Sequence, residues 1–456
     1  MSNNYQVINP YSQELLGEYR YDNWDSICEK LADLKLGRET LKAIPAFERA
    51  EILRRLAELM EEHAEHFSEL ITRETGKTIS DSRVEMTRAI NAAIASSEES
   101  RQISGEALDS DAYGPARGKI GVVCWRPLGT ILCITPFNFP INIALHKIGP
   151  AFAAGNTVLF KPGPQNTASS KLLVRLCYEA GMPKDCIQLS VPDVSDMAAL
   201  VAHGDVSAIN FTGGTAAANA IAQAAGYKKL LLELGGNDPL IVMPDGDLGA
   251  AVNAAINQRF ATAGQRCTAA KRLFVHSSVY DQFRDLLVQK SAALKVGDPM
   301  ADDTFVGPVI HQQAANEIRA RIEDAIAKGA TVALGNRYED AFVYPTILEN
   351  VSPECELMHE ETFGPVMPLC AFDRVEDIVP LINNTAYGLQ GGVFTQDLSV
   401  IRYLFEALDV GTLAANDGPG FRTEHFPFGG VKESGVGREG IKYAIREMSF
   451  VKTLVI

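Results

Sequence analysis

The chain has 456 residues, of which 46% are apolar and 22% charged. Those values suit two or three domains around a large core and exclude a disordered chain. A net charge of −15 argues against nucleic acid or an anionic membrane as the main partner, although a few local arginines can still hold a small anion.

No apolar run reaches the roughly 20 residues needed to span a bilayer. The stretch "MSNNYQVINPYSQELLGEYR" has no basic segment ahead of a hydrophobic one, so no signal peptide is expected. Eight cysteines are scattered without a CxxC pair. Neither a metal site nor a disulfide framework follows, and a reducing cytoplasm is the expected location.

Residues 46–75 predict one amphipathic helix, with Leu53, Leu56, Met60, Phe67 and Leu70 on one face and Gly76 as its stop. A second helix is expected through "SRVEMTRAINAAIASSEES" (82–100). Both read as packing and surface. From residue 129 short apolar strands alternate with helices: "GTILCIT", "NTVLFKP", "CIQLSV", "SAINFTGG" and "KKLLLELGG" are separated by helices near 141–155, 168–180, 195–203 and 215–226. That alternation predicts an α/β fold with a parallel sheet and right-handed crossovers. Ligands bind such sheets past the carboxyl ends of the strands, where Asn138, Lys161, Gly213 and Glu233 fall. A second alternating block runs from about 235 to 420, with the boundary near "LGGND". "GKIGVVCWRPLG" (118–129) and "SFVKTLVI" (449–456) are strands without sequence neighbours, which suggests pairing with another domain or subunit.

Singly, the polar residues carry ordinary readings. "FTGGT" is a glycine turn at a helix start and could cradle phosphate, but it is not GxGxxG. Cys267 in "ATAGQRCTAA" could be a buried packing residue. Its loop setting and the preceding Arg266 favour a thiolate nucleophile instead. Glu233, Asn138 and Lys161 could be a strand-end charge, a turn residue and a solvated lysine.

Jointly, "PFNFP", "FKP", "FTGGT", "LELGGND", "GQRC", "EETFGPV" and "FPFGGVKESGVGREG" occur in this order, and the whole chain resembles the aldehyde dehydrogenase superfamily. The resemblance implies a Rossmann-type cofactor domain over 1–107 and 128–234. It implies an α/β catalytic domain over 235–425 and a small β oligomerisation arm over 108–127 and 426–456. Cys267 matches the nucleophile and Glu233 the general base. Asn138 matches the side-chain amide that holds the oxyanion together with the Cys267 N–H. Thr135, Pro136, Phe137, Lys161, Gly213, Gly214, Glu361 and Phe363 match the surroundings of NAD or NADP. The family's Gly-Ser-Thr turn has Gly214 in place of serine, and its next glycine is Ala218. Pro164 stands where an acidic residue often favours NAD, so NADP is equally expected. Homodimers or homotetramers are expected.

The resemblance implies oxidation of an aldehyde to its acid through a thiohemiacetal and a thioester on Cys267. Arg266, Arg422 and His146 surround the expected substrate position. They point to the branch that acts on small anionic or hydroxylated aldehydes: phosphonoacetaldehyde, glyceraldehyde 3-phosphate, sulfo-aldehydes and lactaldehyde. Pairing of these arginines with a carboxylate such as Glu424 is the competing reading. A CoA-acylating dehydrogenase and a non-catalytic binding or structural protein on the same scaffold are the alternative functions.

Overall fold

The computed structural model describes residues 4–109 and 111–456. The block after residue 129 folds as expected. Strands Thr130–Ile134, Thr157–Lys161, Ile187–Leu189, Ala208–Thr212 and Lys229–Glu233 form one parallel sheet. Thr130–Ile134 has Thr157–Lys161 on one side and Ala208–Thr212 on the other. The strand order therefore reverses at Thr130–Ile134, and a crevice opens past the ends of these strands. Thr130–Ile134 and Ala208–Thr212 are buried along their whole length, because helices cover both faces of the sheet.

One face is covered by the buried helix Pro140–Ala154 and by helices from the first hundred residues. The chain over 46–75 is two helices, Ala46–Glu62 and Ala64–Thr75, and not one. The break at His63 (φ −102°, ψ 10°) resets the buried face from Leu53, Leu56 and Met60 to Phe67 and Ile71. Gly76 ends the second helix in a left-handed conformation (φ 76°). The next helix spans Ile79–Ser100.

The other face carries the helix Trp24–Ala43, which the apolar pattern did not announce; it buries Ile27, Leu31 and Leu34. Its interior holds Gly37, at a helix cost of about 1 kcal/mol relative to alanine. A Cβ there would collide with the Asp185 carbonyl oxygen, so the glycine lets the helix sit directly on the sheet's edge loop.

The second block forms a seven-stranded sheet in the order Thr331–Leu334, Thr346–Glu349, Val366–Phe372, Arg272–His276, Pro239–Val242, Gln390–Phe394, Thr412–Ala415. All neighbours are parallel except the first pair.

The two strands without sequence neighbours find each other. Ser449–Val455 pairs antiparallel with Gly121–Pro127, which also pairs with Glu106–Leu108. Their hydrogen bonds are thus met within the chain, not by a second subunit alone. Between them, Gly435–Val436 adds antiparallel to Lys229–Glu233 on the first sheet, and the helix Ile441–Glu447 packs into that sheet's core.

Gly37→Ala is expected to lower the unfolding free energy by about 1–3 kcal/mol, the usual cost of overpacking, despite alanine's better helix propensity. Denaturant titration checks the sign, and an unchanged or raised midpoint would show that the Asp185 loop simply yields.

Candidate active site

The carboxyl ends of the two sheets face each other across one crevice of about 410 Å³. It gathers Thr135, Pro136, Phe137, Asn138, Lys161, Gly213, Gly214, Glu233, Cys267, Glu361 and Phe363. His146, Arg266 and Arg422 do not line it.

Cys267 follows a backbone reversal. Thr262 (φ 56°), Ala263 (φ 52°) and Gly264 (φ 71°) are left-handed in succession, a conformation that costs a threonine or an alanine energy. The turn is held at both ends. The Asp81 carboxylate accepts from the Thr262 N–H (2.7 Å) and hydroxyl (3.2 Å), and Gln265 Oε1 accepts from the Ile310 N–H (2.9 Å). Asn138 Nδ2 donates to the Gln265 carbonyl at 2.8 Å, which fixes the amide beside the cysteine loop with its second N–H still available. Among the described residues, the Cys267 N–H donates to no protein carbonyl.

Glu233 ends its strand and is 3% exposed, with Oε1 unpartnered. The following Gly235 and Gly236 thread a narrow gap. A Cβ on Gly235 would strike the Glu361 carboxylate, and one on Gly236 would lie 3.0 Å from the Cys267 carbonyl oxygen. Burial, and then the neighbouring Glu439 charge, push the Glu233 carboxyl up to about 7. Cys267 is its hydrogen-bond neighbour.

Burial, with Glu233 adding to it, raises the Cys267 thiol well above its usual range; Lys271 and Arg422 pull the other way. The Arg266 guanidinium is directed toward the Phe139 ring (5.9 Å) and the Asn257 carbonyl, yet it and the Cys267 sulfur still act on one another by charge, as Lys271 and Arg422 do on the sulfur. Lys271 is buried, donates to the Cys267 carbonyl, and pairs with Glu361 at 2.8 Å.

Behind Glu233 lies a buried ionic group that the motifs did not reveal. Lys147 donates to Glu439 and to Asn210 Oδ1, each at 2.7 Å, and Arg422 donates to the other Glu439 oxygen at 2.7 Å. Burial opposes the Glu439 charge, but Lys147 and Arg422 outweigh it and hold the carboxyl down at about 2. Arg422 thus pairs with Glu439 and not with Glu424. Its Nε remains buried without a partner, and its guanidinium lies 3.9 Å from the centre of the Phe428 ring.

His146 lies near Arg422 and can meet a ligand only as a neutral hydrogen-bonding group. It is fully buried, and burial together with Arg422 drives its imidazole well below the usual range, so it is neutral. Both ring nitrogens lack partners. Arg88, from the helix Ile79–Ser100, takes the cationic place. Its Nη2 is buried without a partner, and it forms no ion pair among the described residues. Burial, then Arg422 and Arg266, lower its guanidinium to about 10. The only sequence signal for Arg88 was a cation on the half-buried side of an amphipathic helix. For Lys147 it was a lone charge in the apolar run "INIALHKIGPAFAAG".

The crevice suits a dinucleotide on its own donor set. Gly213 and Gly214 precede the helix Thr215–Ala225, whose start has no side-chain cap and leaves amides for a pyrophosphate. A Cβ at Gly214 would meet open space, while Ala218 is buried against the sheet. Lys161 is half-buried without a carboxylate partner among the described residues, and burial lowers its ammonium. Pro164 begins a tight turn that brings Gln165, not an acid, to the lining. Thr135 Oγ1 is likewise buried and unpartnered.

The Aldehyde dehydrogenase family model matches residues 1–454. A sulfoacetaldehyde dehydrogenase of Neptuniibacter caesariensis is 73% identical over 456 residues, all of both chains. A 3-sulfolactaldehyde dehydrogenase of Priestia aryabhattai is 35% identical over 99% of this chain and 94% of its own. The crystal structure of glyceraldehyde-3-phosphate dehydrogenase GapN from Methanocaldococcus jannaschii, complexed with NADP, superposes with a TM-score of 0.95. It is 34% identical and covers 99% of this chain and 98% of its own. The chain belongs to the aldehyde dehydrogenase family and is an oxidoreductase that uses NAD or NADP.

Proposed function

We propose that the chain oxidises a two- or three-carbon aldehyde with an anionic tail, a sulfonate such as sulfoacetaldehyde first, to its carboxylic acid. The observation that carries this is the half-buried Arg88 guanidinium beside Arg422 and Arg266, whose buried Nη2 has no partner. A buried donor nitrogen without a partner is costly unless a ligand acceptor completes it. The 73% identity to a sulfoacetaldehyde dehydrogenase supports the same choice.

Glu233, with its carboxyl near 7, takes the Cys267 proton, and Lys271 and Arg422 then stabilise the sulfur charge. The thiolate adds to the aldehyde carbon, and the carbonyl oxygen becomes an oxyanion held by the Asn138 amide and the Cys267 N–H. One such donor is worth about 3–4 kcal/mol. A nicotinamide bound in the crevice supplies the hydride acceptor. Lys161, Gln165, the Gly213–Gly214 turn and Glu361 would hold its dinucleotide. The acyl group is left on Cys267 as a thioester. After Glu233 has released the thiol proton to solvent, its carboxylate removes a proton from water, the hydroxide attacks the thioester, and the acid leaves as the departing thiolate regains that proton. A buried base beside the sulfur favours water over CoA as acceptor.

The units are assigned as a cofactor domain over 1–107 and 128–234, a catalytic domain over 235–425, and an arm over 108–127 and 426–456. Within the arm, 435–447 packs on the cofactor sheet. Among the described residues no helix is long and apolar enough to cross a membrane, and eight free cysteines suit a reducing cytoplasm. Val451, Leu454, Val455 and Ile456 expose apolar surface on the arm, which favours a homodimer or homotetramer. Sedimentation should find no active monomer; a monomeric active species would remove that assignment.

Arg88→Ala should lower kcat/KM for sulfoacetaldehyde by about tenfold to a hundredfold, the value of one charge-assisted contact, and leave propanal within a few-fold. An equal loss for both aldehydes would dismiss the anion pocket.

Glu233 works as a base only when ionised, so deacylation-limited turnover should rise with pH through about 7. Glu439→Gln removes the charge that opposes this ionisation, so the rise should move to lower pH. Glu233→Gln should form one equivalent of reduced cofactor and stop with an acyl adduct on Cys267, visible by mass spectrometry. Undiminished steady-state turnover would show that another base works.

A further inference from the structure

We infer that one stripe of the helix Ile79–Ser100 aligns the reacting groups, with Asp81 and Glu85 as positioning residues in line with Arg88. This rests on the reading of Cys267 and Asn138 given above. Positions 81, 85 and 88 follow the i, i+4, i+7 spacing and share one helix face. Each meets a different part of the site.

Asp81 holds the nucleophile's turn. Its Oδ2 accepts both the backbone N–H and the hydroxyl of Thr262, the first of the three left-handed residues that lead to Cys267. A β-branched residue does not keep that conformation unaided.

Glu85 holds the oxyanion donor. The helix Pro140–Ala154 starts two residues after Asn138, and Phe139 at its N-cap offers no side-chain acceptor. Helix-start amides need acceptors. Glu85 Oε1 supplies one from a different helix, accepting from the Ile141 N–H (2.9 Å) and the Asn142 N–H (3.1 Å). Its other oxygen pairs with the buried Lys77, whose ammonium lies 3.7 Å from the centre of the Phe139 ring. Phe139 sits directly after Asn138, so this clamp sets the direction in which the amide points. Arg88, one turn further on, reaches the substrate anion pocket. One rigid element therefore spaces nucleophile, oxyanion donor and substrate tail.

The test uses the full-length enzyme with sulfoacetaldehyde and NADP+. Three quantities are read: kcat, the rate of Cys267 alkylation by iodoacetamide without cofactor, and NADP+ affinity. Lys77→Met/Glu85→Leu removes the acceptor without stranding the ammonium, and Lys77→Met/Glu85→Gln returns an acceptor oxygen. The leucine variant should lose about a hundredfold in kcat, the scale of a misplacement near 1 Å. Its alkylation rate and NADP+ affinity should stay at the wild-type values, and the glutamine variant should recover most of the kcat. Added to Asn138→Ala, the leucine pair should cost nothing more, because both act through one amide. Asp81→Ala should slow alkylation and kcat together by about tenfold, Asp81→Asn should restore both, and its loss should multiply with that of Asn138→Ala. A leucine-pair penalty that multiplies in full with Asn138→Ala, a glutamine pair as poor as the leucine pair, or normal alkylation in Asp81→Ala overturns the alignment. Wild-type turnover in Asn138→Ala overturns the reading of the amide and Glu85's part with it. Asp81 is judged separately by the alkylation rate.

Discussion

The hydrogen bond from the Asn138 amide to the Gln265 carbonyl joins the two sheets where the chemistry happens. Asn138 follows a strand of the first sheet; Gln265 precedes Cys267 in the second unit. Every proposed step needs groups from both sides within contact of one carbon, so the geometry of this joint limits all of them. The surrounding sequence is shaped to permit it. Gly235 and Gly236 are bare because Glu361 and the Cys267 carbonyl occupy the space of their side chains. The reversal at Thr262–Gly264 is strained because Cys267 must turn back toward the first sheet. Such strain persists only when neighbours over-determine it, and Asp81 and Gln265 provide the needed contacts.

The second constraint is charge in a dry place. Glu233, Glu439, Lys147 and Arg422 are buried together. Lys147 and Arg422 both serve Glu439, so Glu439 stays ionised and Glu233, with no cation of its own, is raised toward neutrality. Two carboxylates in one cavity thereby take different protonation states, which suits one to hold a field and the other to exchange protons near neutral pH.

Much of this was legible in the sequence, for physical reasons. Buried parallel strands read as apolar runs, and Asn138, Lys161, Gly213 and Glu233, expected just past them, do line one crevice. Cys267 needed the joint order of motifs, since a lone cysteine reads as packing. Side-chain direction was not legible. Arg266 precedes Cys267 in sequence, yet its guanidinium leaves toward Phe139; that His146 is buried and neutral could not be read from its place in the helix. Arg88 was hidden because an amphipathic helix places cations at its margins whether or not they reach a pocket. The strand 449–456 lacked a local partner because its partner, Gly121–Pro127, lies more than 300 residues away, and the short Glu106–Leu108 strand beside the latter gave no strand pattern of its own.

The proposed anion pocket would draw its selectivity from what the free protein lacks. Arg88 is disfavoured as a cation by burial first and then by Arg422 and Arg266. Glu439, the carboxylate bonded to Arg422, is shared with Lys147. Like charges held close in a low-dielectric pocket raise the energy of the unliganded state. A sulfonate, phosphonate or carboxylate tail removes that repulsion on entry and adds charge-assisted hydrogen bonds. A neutral aldehyde does neither and leaves Arg88 unpaired. In the proposed anion pocket, discrimination would then arise as much from the Arg88 nitrogen a neutral substrate leaves without a partner as from the contacts an anionic one gains.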